Sequence, residues 1–188
     1  QAIVNTMGVS VSAAFAVVNR IDDFAYTPEQ NIAHAMTALM AQNKGAGKID
    51  RMKEGFRCGI VLETIYGILI FIVCFALARP LMMMFVKDEE VIGHGVTYLH
   101  LISVMYLLPA LTNGIQGFFR GIGDLKITLI SSFINMALRV LAAAPLVLIW
   151  KMGIEALPYS YLAGWIGMLV AETPLLLKTY KTWGKKAE

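Results

Sequence analysis

The chain has 188 residues, 57% of them hydrophobic and only 15% charged, with a net charge of +3 and a mean hydropathy of +0.64. A soluble domain usually carries about 25% charged residues, so the deficit points to lipid as the solvent. The small positive charge comes without a basic stripe interleaved with aromatics, which speaks against nucleic acid as a partner.

In chain order, residues 1–19 are apolar or small, with Asn5, Thr6 and Gly8 marking a turn after the tail of a helix whose start is missing. The first complete helix is predicted over about 10–43. Pro28 should kink it, because proline removes a backbone donor and clashes with the preceding turn. Gly45 and Gly47 then close the helix, and a loop follows that holds Lys44, Lys48, Arg51, Lys53 and Arg57. A second helix is predicted over 56–79 with one charge in its apolar run, Glu63. Residues 81–86 are too short to span and should lie at the interface. The remaining helices are predicted over 94–119 with Pro109, 126–150 with Arg139 and Pro145, and 156–180 with Glu172 and Pro174. Each is long enough to cross a bilayer, which takes roughly 20 apolar residues.

The cations sort by side. The first loop has five, Arg120 and Lys126 add two, and Lys178, Lys181, Lys185 and Lys186 add four, which makes eleven. Arg79, Lys87 and Lys151 lie on the opposite side, and Arg20 and Arg139 within helices. Eleven against three is a positive-inside pattern, so the loops rich in Lys and Arg and the C-terminus should be cytoplasmic. Trp150 at one rim, with Tyr180 and Trp183 at the other, fits an interfacial aromatic belt.

Several chemistries are excluded by spacing. A phosphate-binding loop needs Gly, four residues, then Gly-Lys-Ser/Thr, but Gln42 stands at the glycine position and Ile49 follows Lys48. Cys58 and Cys74 would be separated by about 24 Å on one helix, too far to bond. His94 and His100 point about 120° apart on a helix, and with His34 elsewhere they do not form a metal set. Scattered histidines also speak against a membrane-embedded enzyme. The eleven methionines read as packing filler, or as a substrate surface that tolerates many shapes.

The informative residues are ionisable groups inside helices, since burying charge in hydrocarbon is costly and marks function or pairing. Asp22, Tyr26 and Glu29 form one stripe, and Thr128, Ser132, Asn135 and Arg139 another, which suggests a wet cavity between helices. Glu29 and Arg139 both fall about 20 Å from the cytoplasmic helix ends, which predicts a pair; Glu63 and Glu172 fall shallower, at roughly 10–12 Å.

Asn19-Arg-Ile-Asp-Asp-Phe, Pro28, then Ala41-Gln-Asn-Lys-Gly-Ala-Gly-Lys-Ile-Asp-Arg51, then Gln116-Gly-Phe-Phe-Arg-Gly-Ile-Gly-Asp124 resemble the multidrug and toxic compound extrusion (MATE) family. The motif residues that carry the likeness are Gln42, Gly45, Gly47, Arg51, Gln116, Arg120 and Gly121. The resemblance implies an all-α integral membrane protein, a twelve-helix transporter of two six-helix lobes facing a central cavity. This chain would supply five full transmembrane helices of the second lobe, helices eight to twelve, plus the tail of helix seven. It implies a multi-pass protein of the inner (plasma) membrane, no enzyme, exporting organic and often cationic compounds in exchange for Na⁺ or H⁺. No cofactor beyond that coupling ion is implied; the partners would be membrane lipid and the missing N-terminal lobe. Where Na⁺-coupled members carry an acidic residue on the tenth helix, this chain has Pro109. The coupling and cavity candidates are therefore read from the residues themselves: Glu29, Asp22, Tyr26, Asn135, Arg139, Glu63 and Glu172. The rivals are a lipid-linked oligosaccharide flippase of the same superfamily, which would need a larger, more cationic cavity, and a non-transporting membrane scaffold, which would carry no intramembrane charges.

Overall fold

A computed structural model of the chain describes residues 8–184, and carries helices and no strand among them. The turn expected at Asn5 and Thr6, the side chain of Trp183, and Lys185 and Lys186 lie outside the described residues. Seven helices follow in order: α1 Val9–Gly45, α2 Ile49–Ala76, α3 Ala78–Met83, α4 Glu89–Ser103, α5 Leu107–Gly121, α6 Leu125–Leu148 and α7 Ala156–Gly184.

Local chemistry sets most of the ends. Gly47 takes a φ of 68°, and the Lys48 N–H reaches the Asn43 carbonyl at 2.9 Å, which closes α1. The same closure recurs after α5, where Gly123 has a φ of 81° and the Asp124 N–H reaches the Phe119 carbonyl at 2.9 Å. Asp88 caps α4 by accepting from the N–H groups of Glu90 and Val91. Pro28 does not break α1, which runs 37 residues through it.

Two expectations need correction. The second helix begins at Ile49 rather than near residue 56, because only a short turn at 46–48 separates it from α1. The helix expected over 94–119 is two, α4 and α5, bent by 50° at the break between them. Pro109 explains the break: its ring clashes with the carbonyl four residues back, that of Met105, so the helix cannot run straight through.

Five spans were expected. Among the described residues three helices, α2, α6 and α7, are long and apolar enough to cross a membrane, or four if α4 and α5 make one bent span. α1 has the length but carries Arg20, Asp22, Asp23 and Glu29.

α5 packs against α1, α2, α6 and α7, and α6 and α7 lie against each other. Its seam with α1 is made close by glycine. A Cβ at Gly117 would stand 2.6 Å from the Ala33 carbonyl oxygen, and one at Gly121 would stand 2.6 Å from that of Thr37. Such stripes of small residues let helix backbones approach where no hydrophobic force drives association. Two apolar cores result. One gathers Val18, Ala25, Cys74, Tyr98 and Tyr106; the other, nearer the glycine loops, gathers Met36, Met40, Phe56 and Phe118.

Candidate functional site

Between the two cores lies a polar layer. On α1, Glu29 falls between Ala25 of one core and Met36 of the other; on α2, Glu63 falls between Cys74 and Phe56. Both glutamates are fully buried, and none of their four carboxyl oxygens has a hydrogen-bond partner. Glu63 lies within electrostatic reach of Glu29, and the Asn113 side chain of α5 stands beside Glu29 without a completed hydrogen bond. The Glu63 Cγ would be 3.5 Å from a Cβ at Gly114, with Ile60 and Met36 closing the same spot. Tyr66 borders the layer and donates its hydroxyl to the Ala25 carbonyl at 3.0 Å, one turn from Glu29.

Asp22 lies one step toward the other end of α1, buried, and accepts the Tyr106 hydroxyl at 2.5 Å. Tyr106 precedes α5 at the break after α4, and its ring meets the edge of Tyr26 with centroids 5.5 Å apart. The Tyr26 and Tyr98 hydroxyls are buried without a hydrogen-bond partner. Arg139 holds its guanidinium 3.6 Å above the Tyr161 ring, a cation–π contact.

Glu172 occupies a different setting. It is fully buried between α5, α6 and α7, where the Gln116 amide donates to one of its oxygens at 3.3 Å. Ser131 and Arg120 also face this carboxyl. The Gln116 amide reaches Ser132 at 3.5 Å as well, and the Asn135 amide lies 3.6 Å from the Met168 sulfur.

The two glycine loops come together. The Lys44 ammonium donates to the Ile122 carbonyl, so the loop of Gln42, Gly45 and Gly47 touches the one after Gln116, Arg120 and Gly121. Arg51 sits exposed in the first turn of α2. The Tyr180 hydroxyl donates to the Lys53 carbonyl at 3.2 Å, which brings the end of α7 to the same face of the bundle. The described cations of the larger group therefore share one end.

The expected pair of Glu29 with Arg139 does not form: the arginine stacks on Tyr161, and Glu29 has Glu63 for its charged neighbour. Glu63 is not shallower than Glu29. Beginning α2 at Ile49 rather than at 56 adds seven residues below Glu63, about 10 Å of rise, which lifts Glu63 to the level of Glu29. Of the two polar stripes, they meet where Arg139 comes within electrostatic reach of Tyr26.

Sequence reasoning missed Asn113, Tyr66, Tyr106 and Tyr161. It also missed the outward face of α1, where Arg20, Asp23, Thr27, Gln30, Asn31 and His34 are all exposed. Their spacing of three or four residues is the period of one helical face, a signal open to reading. The outward faces of α2 and α6 differ: Ile65, Leu69 and Ile72, and Leu129, Phe133 and Met136, are exposed and apolar. Among the described residues no group of three or more His, Cys, Asp or Glu side chains could hold a metal ion.

The MatE family model matches residues 1–144. The chain belongs to the MatE family. One relative of this MatE chain, "Probable multidrug resistance protein YoeA" of Bacillus subtilis (strain 168), is 30% identical over 190 residues, which is 97% of this chain and 39% of that protein. Another, "Probable multidrug resistance protein NorM" of Thermotoga maritima, is 23% identical over 186 residues, 96% of this chain and 39% of that protein. The chain thus spans 39% of the length of these curated relatives. A crystal structure of MATE in the bent conformation shares the fold with a TM-score of 0.89 at 16% identity, over 96% of this chain and 40% of that one. Outward-facing and inward-facing structures of a multidrug resistance MATE family transporter match with TM-scores of 0.83 and 0.81, at 15% and 16% identity. They are covered over 91% and 87% of the MatE chain and 37% of each structure. Members of this family are multi-pass membrane transporters, not enzymes.

Proposed function

We propose that the chain forms the second lobe of a two-lobe exporter that moves drug-like, often cationic organic compounds out of the cell in exchange for Na⁺ or H⁺. One observation carries the reading: the exposed polar face of α1, from Arg20 to His34. Charged and amide side chains on a membrane helix face a bundle interior or a water-filled cavity rather than lipid. The α1 stripe does not face this bundle's interior, so it calls for a cavity and a second body across it. The apolar outward faces of α2 and α6 suit lipid instead.

The names of the curated relatives support a drug-like substrate. The likeness to both an outward- and an inward-facing structure supports a lobe that keeps its fold while the access changes, as expected when one repeat rocks against another. The cations gathered at the loop end support a cytoplasmic C-terminus. Buried carboxyls on α1 and α2 support cation coupling, with substrate release driven by charge competition and helix rearrangement.

The test is water access. In membranes, and in a background lacking Cys58 and Cys74, cysteines at Thr27 and His34 should react with a water-soluble thiol reagent, and ethidium should slow both reactions. Cysteines at Phe133 and Met136 should stay inert. Inert cysteines at Thr27 and His34 would remove the cavity and the proposed lobe with it.

A further inference from the structure

We infer that Glu29 and Glu63 form one site, holding a single exchangeable monovalent cation between their carboxyls. The inference deepens the exporter reading and rests on it for the cation's role, but not for its binding.

Two glutamates from neighbouring helices meet in a layer that separates two apolar cores, and α5 walls the layer with Asn113 and Gly114. Both are fully buried, and all four oxygens lack a hydrogen-bond donor. Carboxyls buried for structural reasons are ordinarily hydrogen-bonded or paired, as Glu172 is by Gln116.

Among the described residues no cation supplies the missing charge. The ionisable groups nearest the pair are phenols, Tyr26 on α1 and Tyr66 on α2, each within electrostatic reach of Glu29. Asp22 lies beyond Tyr26 and is held by Tyr106. Arg139 reaches Tyr26 but stacks on Tyr161. Two neighbouring carboxylates in a low dielectric repel each other strongly without a cation between them, so a proton or a desolvated Na⁺ completes the site. A multivalent metal is not indicated, since among the described residues no group of three or more His, Cys, Asp or Glu side chains could hold one. Asn113 can add one carbonyl oxygen for Na⁺, and two carboxyls alone suffice for a proton.

The pair also has a mechanical reach that neither glutamate has alone. Glu29 and Glu63 belong to α1 and α2, and α5 packs on both through Gly117 and Gly114. Losing the cation would leave like charges pushing α1 from α2 at the layer where the cores meet, and α1 carries the outward polar face. Occupancy of the site is thereby linked to the wall of the proposed cavity.

The test reads chemistry rather than transport. In lipid nanodiscs, dicyclohexylcarbodiimide couples to protonated carboxyls in apolar surroundings, and mass spectrometry locates the adducts. Interacting sites titrate as a pair, in two steps that belong to both, so Glu29 and Glu63 should label with one pH profile whose midpoints they have in common. If Na⁺ is the ligand, NaCl in place of choline chloride should slow both labellings with one half-effect concentration. If the ligand is a proton alone, Na⁺ should have no effect and the common midpoints should remain. In Glu29→Gln the response of Glu63 to pH or Na⁺ should move by about tenfold in cation concentration, and Glu63→Gln should do the same to Glu29. Separate pH profiles for the two residues in the unmutated chain, labelling of one residue only, or labelling constant across pH and Na⁺ would overturn the site, whether or not the variants fold. A chain that passes while the cysteine at Thr27 stays inert keeps the ion site and loses the exporter.

Discussion

The junction of α1, α2 and α5 and the junction of α5, α6 and α7 each bury an acid, and they treat it in opposite ways. At the second, Glu172 has the Gln116 amide at 3.3 Å, with Ser131 and Arg120 facing it. At the first, no carboxyl oxygen of Glu29 or Glu63 has a hydrogen-bond partner, and Asn113 only stands beside Glu29. The backbones differ in the same sense. α5 meets α1 through Gly117 and Gly121, where an added Cβ would stand 2.6 Å from a carbonyl oxygen in each case, whereas on α7 one at Gly164 would stand 3.0 Å from the Asn135 carbonyl oxygen of α6 and one at Gly167 would meet only the side chains of Leu138 and Ile134. One junction leaves all four of its carboxyl oxygens without a hydrogen-bond partner; the other leaves only Oε2 of Glu172 so. A satisfied acid can be explained by stability alone. An unsatisfied acid held in a rigid frame needs a ligand.

The largest effect should separate the backbones. Gly117→Val places a Cβ about where the Ala33 oxygen stands, 2.6 Å away, and backbone cannot step aside as a side-chain tip can. Overpacking typically costs about 1–3 kcal/mol, occasionally more, and the upper end is expected here. Gly167→Ala should cost under about 1 kcal/mol, because the Leu138 terminal methyl can rotate. Thermal unfolding in detergent micelles would compare the two, and equal losses would erase the distinction between the junctions.

The next effect separates the acids. Gln116→Leu removes the donor to a buried carboxyl and should cost about 1–3 kcal/mol. Glu63→Gln supplies an amide donor to Glu29 and removes a like charge, so it should leave stability unchanged or raise it. Both can be read from the same unfolding curves. A Glu63→Gln variant less stable than Gln116→Leu would mean that Glu29 and Glu63 are a structural pair after all.

Asp22 stands between these extremes, since one of its oxygens has the Tyr106 hydroxyl at 2.5 Å. Tyr106→Phe keeps the ring that packs edge to face with Tyr26 and removes only the donor. It should cost about 1.5 kcal/mol, the low end for a bond to an ionisable group. Because Tyr106 sits at the break between α4 and α5, the loss should also raise hydrogen exchange at residues 103–107. Unchanged exchange there would confine the bond to the Asp22 side.

Much of this was legible in sequence, for physical reasons. Gly47, Gly121 and Gly123 punctuate α1 and α5 because only glycine takes the left-handed turn, or the close approach, at little cost. Glu29, Glu63 and Glu172 stand out because acids are rare in apolar runs. Their neighbours were another matter. The adjacency of Glu29 and Glu63 depends on where α2 begins, and moving that start from Phe56 to Ile49 moves the glutamate by about two turns. The partner of Arg139 could be an acid or an aromatic face, and periodicity within one helix does not say which. Pro109 was visible, but a proline acts on the carbonyl four residues back, so the break fell at 104–106 rather than at the proline.

The smallest effect lies at the end of the bundle away from the glycine loops. The Arg79 guanidinium donates to both oxygens of Glu89, at 3.1 and 2.9 Å. It is the best-formed ion pair among the described residues, and also an exposed one, with the two side chains 58% and 69% accessible. Geometry alone would rank it above the buried acids. Solvent reverses that order: exposed pairs contribute about 0.2–1 kcal/mol, because water screens the charges and ordering two long side chains costs entropy. Glu89 also lies in the first turn of α4, where a negative charge favours the helix N-terminus whether or not Arg79 is present. Arg79→Ala should therefore cost less than about 0.5 kcal/mol, and Glu89→Ala somewhat more. Raising the salt concentration should weaken the first loss and leave that of Gln116→Leu unchanged, since buried groups are screened far less. An Arg79→Ala loss matching that of Gln116→Leu would place this end of the bundle in a drier setting than an interface and move the boundary of the membrane past α3.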